Sequence, residues 1–324
     1  MAVYRGHVLL ACGDIDREIE LHSVRKSLVS ALYGTAVAGG EIDLDATLAD
    51  LGIDDDGGLT RVERSATVRD IIAARSGVYL PAAYAPSGQD AERPDRGAYA
   101  PERRIAGPIG MEDWTPDDGF VVYEPGASRH PAHTFRMSAR DLARFGLLYL
   151  RNGRWDGRQL FPAACVREST RPASDFGDGR GYGYMWWTYA AGSVSPEAYP
   201  AMARYDSYMG RGTGGQAVWV VPEAELVIVN RVDTDHGRNV GGRDGWTMAD
   251  RIVAARVGEA SADPALEPVT PTPLAGQLPV YEWPEPVTVA EGTLDEYMGE
   301  YPISGCSAIG ATRTSMCPAR AMRC

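Results

Sequence analysis

The run "GGQAVWVVPEAELVIVNRV" (residues 214–232) is the clearest structural signal in the sequence. It holds two apolar, valine-rich stretches joined by Pro222-Glu223-Ala224-Glu225. Strand-forming residues on either side of so short a connection read as a β-hairpin, and the near-continuous apolar character buries it on at least one face. Before the hairpin, "GYGYMWWTY" (181–189) reads as a strand, and after it "WTMADRIVAARVG" (246–258) reads as a helix. "MSARDLARFGLLYLRNG" (137–153) predicts another helix, with Ser138 as N-cap and Gly153 as terminator.

Nearer the start, residues 3–22 read as a hairpin in which "YRGHVLLACG" and "REIELH" are strands and "GDID" is the turn. A helix follows from about Ser23 to Val37, because Val24, Leu28, Ala31, Leu32 and Thr35 recur at three- and four-residue spacing before Gly39-Gly40. "TVRDIIAARSG" (67–77) predicts a further helix, and residues 78–130 are loop-rich. The order is strand-strand-helix, a helical and loop-rich middle, then strands and a closing helix. That is α+β, an antiparallel sheet with helices packed on it. From Ala260 the chain turns proline-rich, and "YPISGCSAIGATRTSMCPARAMRC" (301–324) has no periodicity.

Composition excludes several functions. A net charge of −12 and a pI near 4.9 argue against nucleic acid, which demands a basic face. No apolar run approaches the roughly 18 residues a membrane span needs. "LLAC" (Leu9–Cys12) imitates a lipoprotein cleavage site, but about four apolar residues precede the cysteine where a signal peptide carries roughly 7–15. Cytoplasm is the default location, or a secreted or periplasmic one if the N-terminus is incomplete. The five cysteines are odd in number and lack metal-ligand spacing. His130 and His133 are three apart, but Pro131 argues against a helix presenting both to a metal. No metal and no cofactor is expected, and the partner is a small-molecule or peptide substrate.

The positive charges carry the strongest chemical signal. Of 32 Lys plus Arg, Lys26 is the only lysine, and it stands three residues after Ser23. A serine hydroxyl is a poor nucleophile until a base takes its proton. A lysine whose pKa is lowered can be that base, whereas a guanidinium stays protonated. On a helix, residues i and i+3 share a face. Ser23 also sits at the expected helix start, where free N–H groups favour developing negative charge. Against this, 17 serines in 324 residues put Ser three before a lone lysine about one time in twenty by chance. The competing reading is a surface charge and an N-cap.

The flanking residues add a resemblance. "HSVRKSLVSALYGTAVAGGEIDLDATLADLGIDD" (22–55), "LTRVERSATVRDIIAARSGVY" (59–79), "HTFRMSARDLARFGLLYLRNGRW" (133–155) and "GTGGQAVWVVPEAELVIV" (212–229) resemble, in order, the class C β-lactamase-like serine hydrolases. That group includes penicillin-binding proteins, D-alanyl-D-alanine carboxypeptidases and related esterases. The resemblance implies a β-lactamase/transpeptidase-like fold with a shortened helical subdomain at about 50–175, within a catalytic domain spanning 1–259. It implies an acyl-serine intermediate on Ser23, with Lys26 helping to remove the proton. Substrates would be β-lactams, D-alanyl peptides, small esters or amides. The alternative is a non-catalytic or decayed relative that acts at most as a binding protein.

Three departures from the pattern stand out. No tyrosine or serine is followed by x-Asn, the second motif of such enzymes, and Tyr99-Ala100-Pro101 runs almost directly into Pro108-Ile109-Gly110-Met111 where relatives carry that block. The third motif, Lys-Thr-Gly or His-x-Gly in relatives, is matched by Thr213-Gly214-Gly215, read as substrate-binding, with Arg211 nearby as a candidate carboxylate partner or a solvated strand-end charge. "LDEYMGEY" (294–301) resembles the opening of a further small β domain, so 260–324 reads as linker and the truncated start of that domain. A phosphate cradle at "GRGTGG" is disfavoured because a strand follows it, and no Gly-x-Ser-x-Gly elbow occurs.

Overall fold

The computed structural model describes residues 1–55, 57–78, 105–122 and 132–255. Strands β1 (Ala2–Tyr4), β2 (His7–Leu10) and β3 (Ile19–Glu20) precede α1 (Arg25–Ala38). Short helices α2 (Arg61–Arg64) and α3 (Val68–Ile72) follow, then β4 (Gly119–Val122), β5 (Ala132–Met137) and α4 (Ala139–Leu150). Next come the hairpin β6 (Arg154–Trp155) and β7 (Arg158–Gln159), α5 (Ala163–Ser169), β8 (Ser174–Asp175), β9 (Arg180–Tyr182) and β10 (Trp187–Tyr189). The chain continues through β11 (Ser207–Arg211), β12 (Ala217–Val221), β13 (Leu226–Asn230) and α6 (Gly242–Ala254).

Eight strands form one sheet in the order β2-β1-β13-β12-β11-β10-β9-β8, and every pairing in it is antiparallel. The 214–232 hairpin is its centre, with Val221 opposite Leu226 and Ala217 opposite Asn230. Successive side chains on a strand point to opposite faces. Val218, Val220, Val227 and Val229 pack with Leu142, Phe145 and Leu148 of α4 and with Leu28 and Ala31 of α1. Trp219, Val221, Leu226 and Ile228 pack with Ala249 and Val253 of α6. Both faces are therefore covered, which accounts for the unbroken apolar runs. α4 is capped as expected, Ser138 accepting from the Asp141 N–H.

Four local expectations are corrected. The first hairpin closes at Arg5-Gly6, both at positive φ (49° and 86°), so "YRGHVLL" folds on itself. "REIELH" supplies β3, which joins a separate sheet of order β3-β5-β4. A two-residue turn with both φ positive matches the strand twist better than the four-residue "GDID". "GYGYMWWTY" is two strands, with Trp187 paired back onto Tyr182 and Met185 turning at φ 63°. α6 begins at Gly242, four residues before the expected start, and α3 ends at Ile72. The residues from 256 onward, which include the expected boundary at 259 and the Pro-rich tail, lie outside the described residues. So do most of the 78–130 loop and His130; His133 has a backbone in strand β5.

Candidate active site

Ser23 lies in a single 3-10 turn, His22–Val24, that leads straight into α1. The cap residue of α1 is Val24, and no side chain caps the helix, so the N-cap reading of Ser23 is corrected. Its hydroxyl instead meets Lys26: the lysine Nζ donates to Ser23 Oγ at 3.2 Å. The i, i+3 spacing does in space what helix geometry promises.

Lys26 keeps an accessible outer surface, yet its amine is crowded enough to matter. Burial, then the neighbouring positive charge of Arg25, holds its pKa below the ordinary lysine value. Arg25 itself is turned back, donating to the His22 carbonyl at 3.0 Å. A larger share of the Lys26 amine is thus neutral near pH 7 than in a free lysine.

The pair opens onto a cleft of about 640 Å³. α1 lies close to β11 because Gly210 has no side chain: a Cβ there would sit 2.8 Å from Ser27 Oγ. Ser27 is fully buried and donates to the Met185 carbonyl at 3.0 Å, tying α1 to the β9–β10 turn. One wall of the cleft is Arg211, Gly212, Thr213, Gly214 and Gly215 at the end of β11. All of the residues named in advance (Ser23, Lys26, Thr213, Gly214, Gly215 and Arg211) line this one cavity.

Another part of the lining was missed by sequence reasoning. It is aromatic: Phe176, Tyr182 and Trp187, with Met185. The Trp187 ring meets Tyr182 edge-on at 5.3 Å and Phe176 at 6.1 Å, and burial pushes the Tyr182 phenol up to about 12. Asn239, Val240, Gly241 and Gly242, at the entry to α6, complete the rim. The aromatic density of 181–189 was a signal, but only the fold shows that Tyr182 and Trp187 line the same cleft as Ser23. Among the described residues no cluster of His, Cys, Asp and Glu suits a metal ion, and no helix is long and apolar enough to cross a membrane.

An antiparallel sheet clad by helices on both faces, with a Ser-x-x-Lys turn against strand β11, is the β-lactamase/transpeptidase-like fold. The chain belongs to the beta-lactamase family, whose members are serine hydrolases: the family model described as Beta-lactamase matches residues 81–250. That match begins after Ser23 and Lys26 and covers the later blocks. Solved structures of the same fold include a class C β-lactamase from Rhodobacter sphaeroides, at 16% identity and TM-score 0.53 over 78% of this chain and 93% of that one. A Bacillus anthracis protein assigned as a 6-aminohexanoate-dimer hydrolase aligns at 15% identity and TM-score 0.53, covering 78% and 77%. A penicillin-binding protein homologue from Caulobacter crescentus aligns at 14% identity and TM-score 0.50, covering 78% and 91%. No curated protein matches the chain.

Proposed function

We propose that the protein hydrolyses an ester, amide or peptide through an acyl intermediate on Ser23, with Lys26 as the base. The observation that carries the reading is the 3.2 Å contact between Lys26 Nζ and Ser23 Oγ in the lining of an open cleft. In the neutral amine the lone pair accepts the hydroxyl proton as the oxygen attacks the acyl carbon, and the ammonium so formed returns a proton to the leaving group. Thr213, Gly214 and Gly215 line the same cleft and would bound the substrate there. β-Lactams, D-alanyl peptides and small esters are the substrate classes that such chemistry serves. The β-lactamase and amide-hydrolase assignments of the fold neighbours agree with acyl transfer in general and select none of these.

A second reading has its own support. The sequence carries no Tyr-x-Asn or Ser-x-Asn motif, and loss of one member of a cooperating set costs several powers of ten in rate. The protein would then be a ligand-binding relative without turnover. Intact-mass analysis after incubation with a fluorophosphonate or a penicillin separates the two. An adduct mapped to Ser23 is expected. Folded protein that takes up neither reagent would favour the binding reading.

A further inference from the structure

His22, immediately before the candidate nucleophile, is held in a backbone conformation that few residues accept. Its φ is +49°, in the left-handed region, and only 7% of its surface is exposed. Its Nε2 lies 3.0 Å from Thr234 Oγ1, across 212 residues of sequence. Thr234 Oγ1 also accepts from Gln216 Nε2 at 3.2 Å, and Gln216 is fully buried. The amide of Gln216 is fixed in turn, since its Oε1 accepts from the Val232 N–H at 3.1 Å while its Nε2 donates to the Val232 carbonyl.

The tautomer of His22 sets whether Thr234 Oγ1 donates or accepts in this contact, because the threonine oxygen has one proton and two lone pairs; in either case the two side chains are bonded. Nδ1 faces Glu20 Oε1 at 3.5 Å, and Glu20 accepts from Thr134 Oγ1 at 3.1 Å.

The same threonine abuts the other cleft wall. A Cβ on Gly214 would come within 2.1 Å of Thr234 Cγ2, and Gly214 stands at φ +75°. A Cβ on Gly212 would lie 2.6 Å from the Leu21 carbonyl oxygen and 3.2 Å from His22 Cβ. The Gly214 carbonyl accepts from the Val240 N–H at 3.1 Å, and Asn230 donates to the Gly215 carbonyl at 2.9 Å. Thr234 therefore touches both the turn bearing Ser23 and the loop 213–215.

We propose that His22 and Thr234 are positioning residues: their hydrogen bond clamps the Ser23 turn against the wall formed by residues 213–215 and sets the gap in which an acyl group is attacked. The proposal rests on the reading of Ser23 as nucleophile. Misplacement by about 1 Å costs roughly a hundredfold in rate, so a loosened clamp is visible in kinetics.

The test uses the full chain, with Thr234→Val, which keeps shape and loses the hydroxyl, and Thr234→Ser, which keeps the hydroxyl. Thr234→Val should slow fluorophosphonate labelling of Ser23 about tenfold or more, and lower kcat for p-nitrophenyl acetate with KM nearly unchanged; Thr234→Ser should stay within about twofold of the parent. Hydrogen exchange read by mass spectrometry over residues 20–28 gives a readout free of chemistry. Thr234→Val should speed exchange there and Thr234→Ser should not, even if the parent takes no label and the nucleophile reading itself fails. If Thr234→Val does not fold, His22→Asn replaces it, since asparagine accepts the left-handed backbone but is too short to reach Thr234. Parent-like labelling and exchange in the hydroxyl-free variant, or an equal loss in Thr234→Ser, overturns the proposal.

Discussion

In the proposed mechanism, Lys26 is where one side chain carries the most chemistry. The 31 arginines cannot replace it, because no guanidinium gives up its proton near neutral pH. Lys26→Arg is expected to cut p-nitrophenyl acetate turnover by about 10²- to 10⁴-fold, the range for loss of a general base. Undiminished turnover would remove Lys26 from that role. The lowered pKa has a sign as well. As the proposed base, Lys26 acts when neutral, so kcat/KM should rise with pH through a midpoint below the ordinary lysine value and then level off. Because the chain has a single lysine, amine labelling followed by intact mass reads that midpoint directly, with the N-terminus as the only other amine. A labelling midpoint at or above the ordinary value would contradict the desolvation argument.

At the scale of elements, α4 organises the face of the sheet that carries α1. Its Asp141 is fully buried and accepts three backbone N–H groups: Glu112 at 2.9 Å, Asp113 at 2.9 Å and Trp114 at 2.9 Å. This anchors the 112–114 loop at the helix N-terminus, and Arg140 pairs with Asp113 beside it. Asp141→Ala leaves those three donors without an acceptor, that of Trp114 buried and the other two partly so. Each such group costs about 1–3 kcal/mol, so a loss of about 3 kcal/mol or more is expected. Urea denaturation checks it: the midpoint should fall with the slope unchanged. Asp141→Asn, which keeps one oxygen, should fall in between. Phe145 of this helix stacks on Trp186 at 6.0 Å, both fully buried.

For the molecule as a whole, the acidic balance has a local focus that couples stability to pH. Burial, a hydrogen bond shared with Asp118, and the charges of Asp118, Asp113 and Asp141 push the Glu18 carboxyl up to about 8. Unfolded, the same carboxyl titrates near its ordinary value of 4.5. Between those limits the folded chain holds a proton that the unfolded chain has released. That contribution is complete below about pH 4.5 and is lost as pH rises toward about 8. Thermal stability should therefore fall across this window, and Glu18→Gln should flatten the dependence. An unchanged slope in Glu18→Gln would show that other groups set it.

Local spacing was enough to read part of this protein. The 214–232 hairpin, the 139–150 helix with its Ser138 cap, and the Ser23–Lys26 contact all depend on residues within a few positions of one another, and strand alternation or helix rise fixes what such neighbours do. The ordered blocks around them also pointed to the family. Tertiary packing decided the rest. β3 leaves β2 for β5 because Ile19 and Glu20 pair with residues more than a hundred positions away. The aromatic wall at 176–187 and the rim at 239–242 meet Ser23 only once the sheet is assembled. The link from His22 to Thr234 spans 212 residues, and no periodicity encodes a partner at that distance. Such contacts are set by which faces bury against each other, a property of the folded core and not of any short window of the chain.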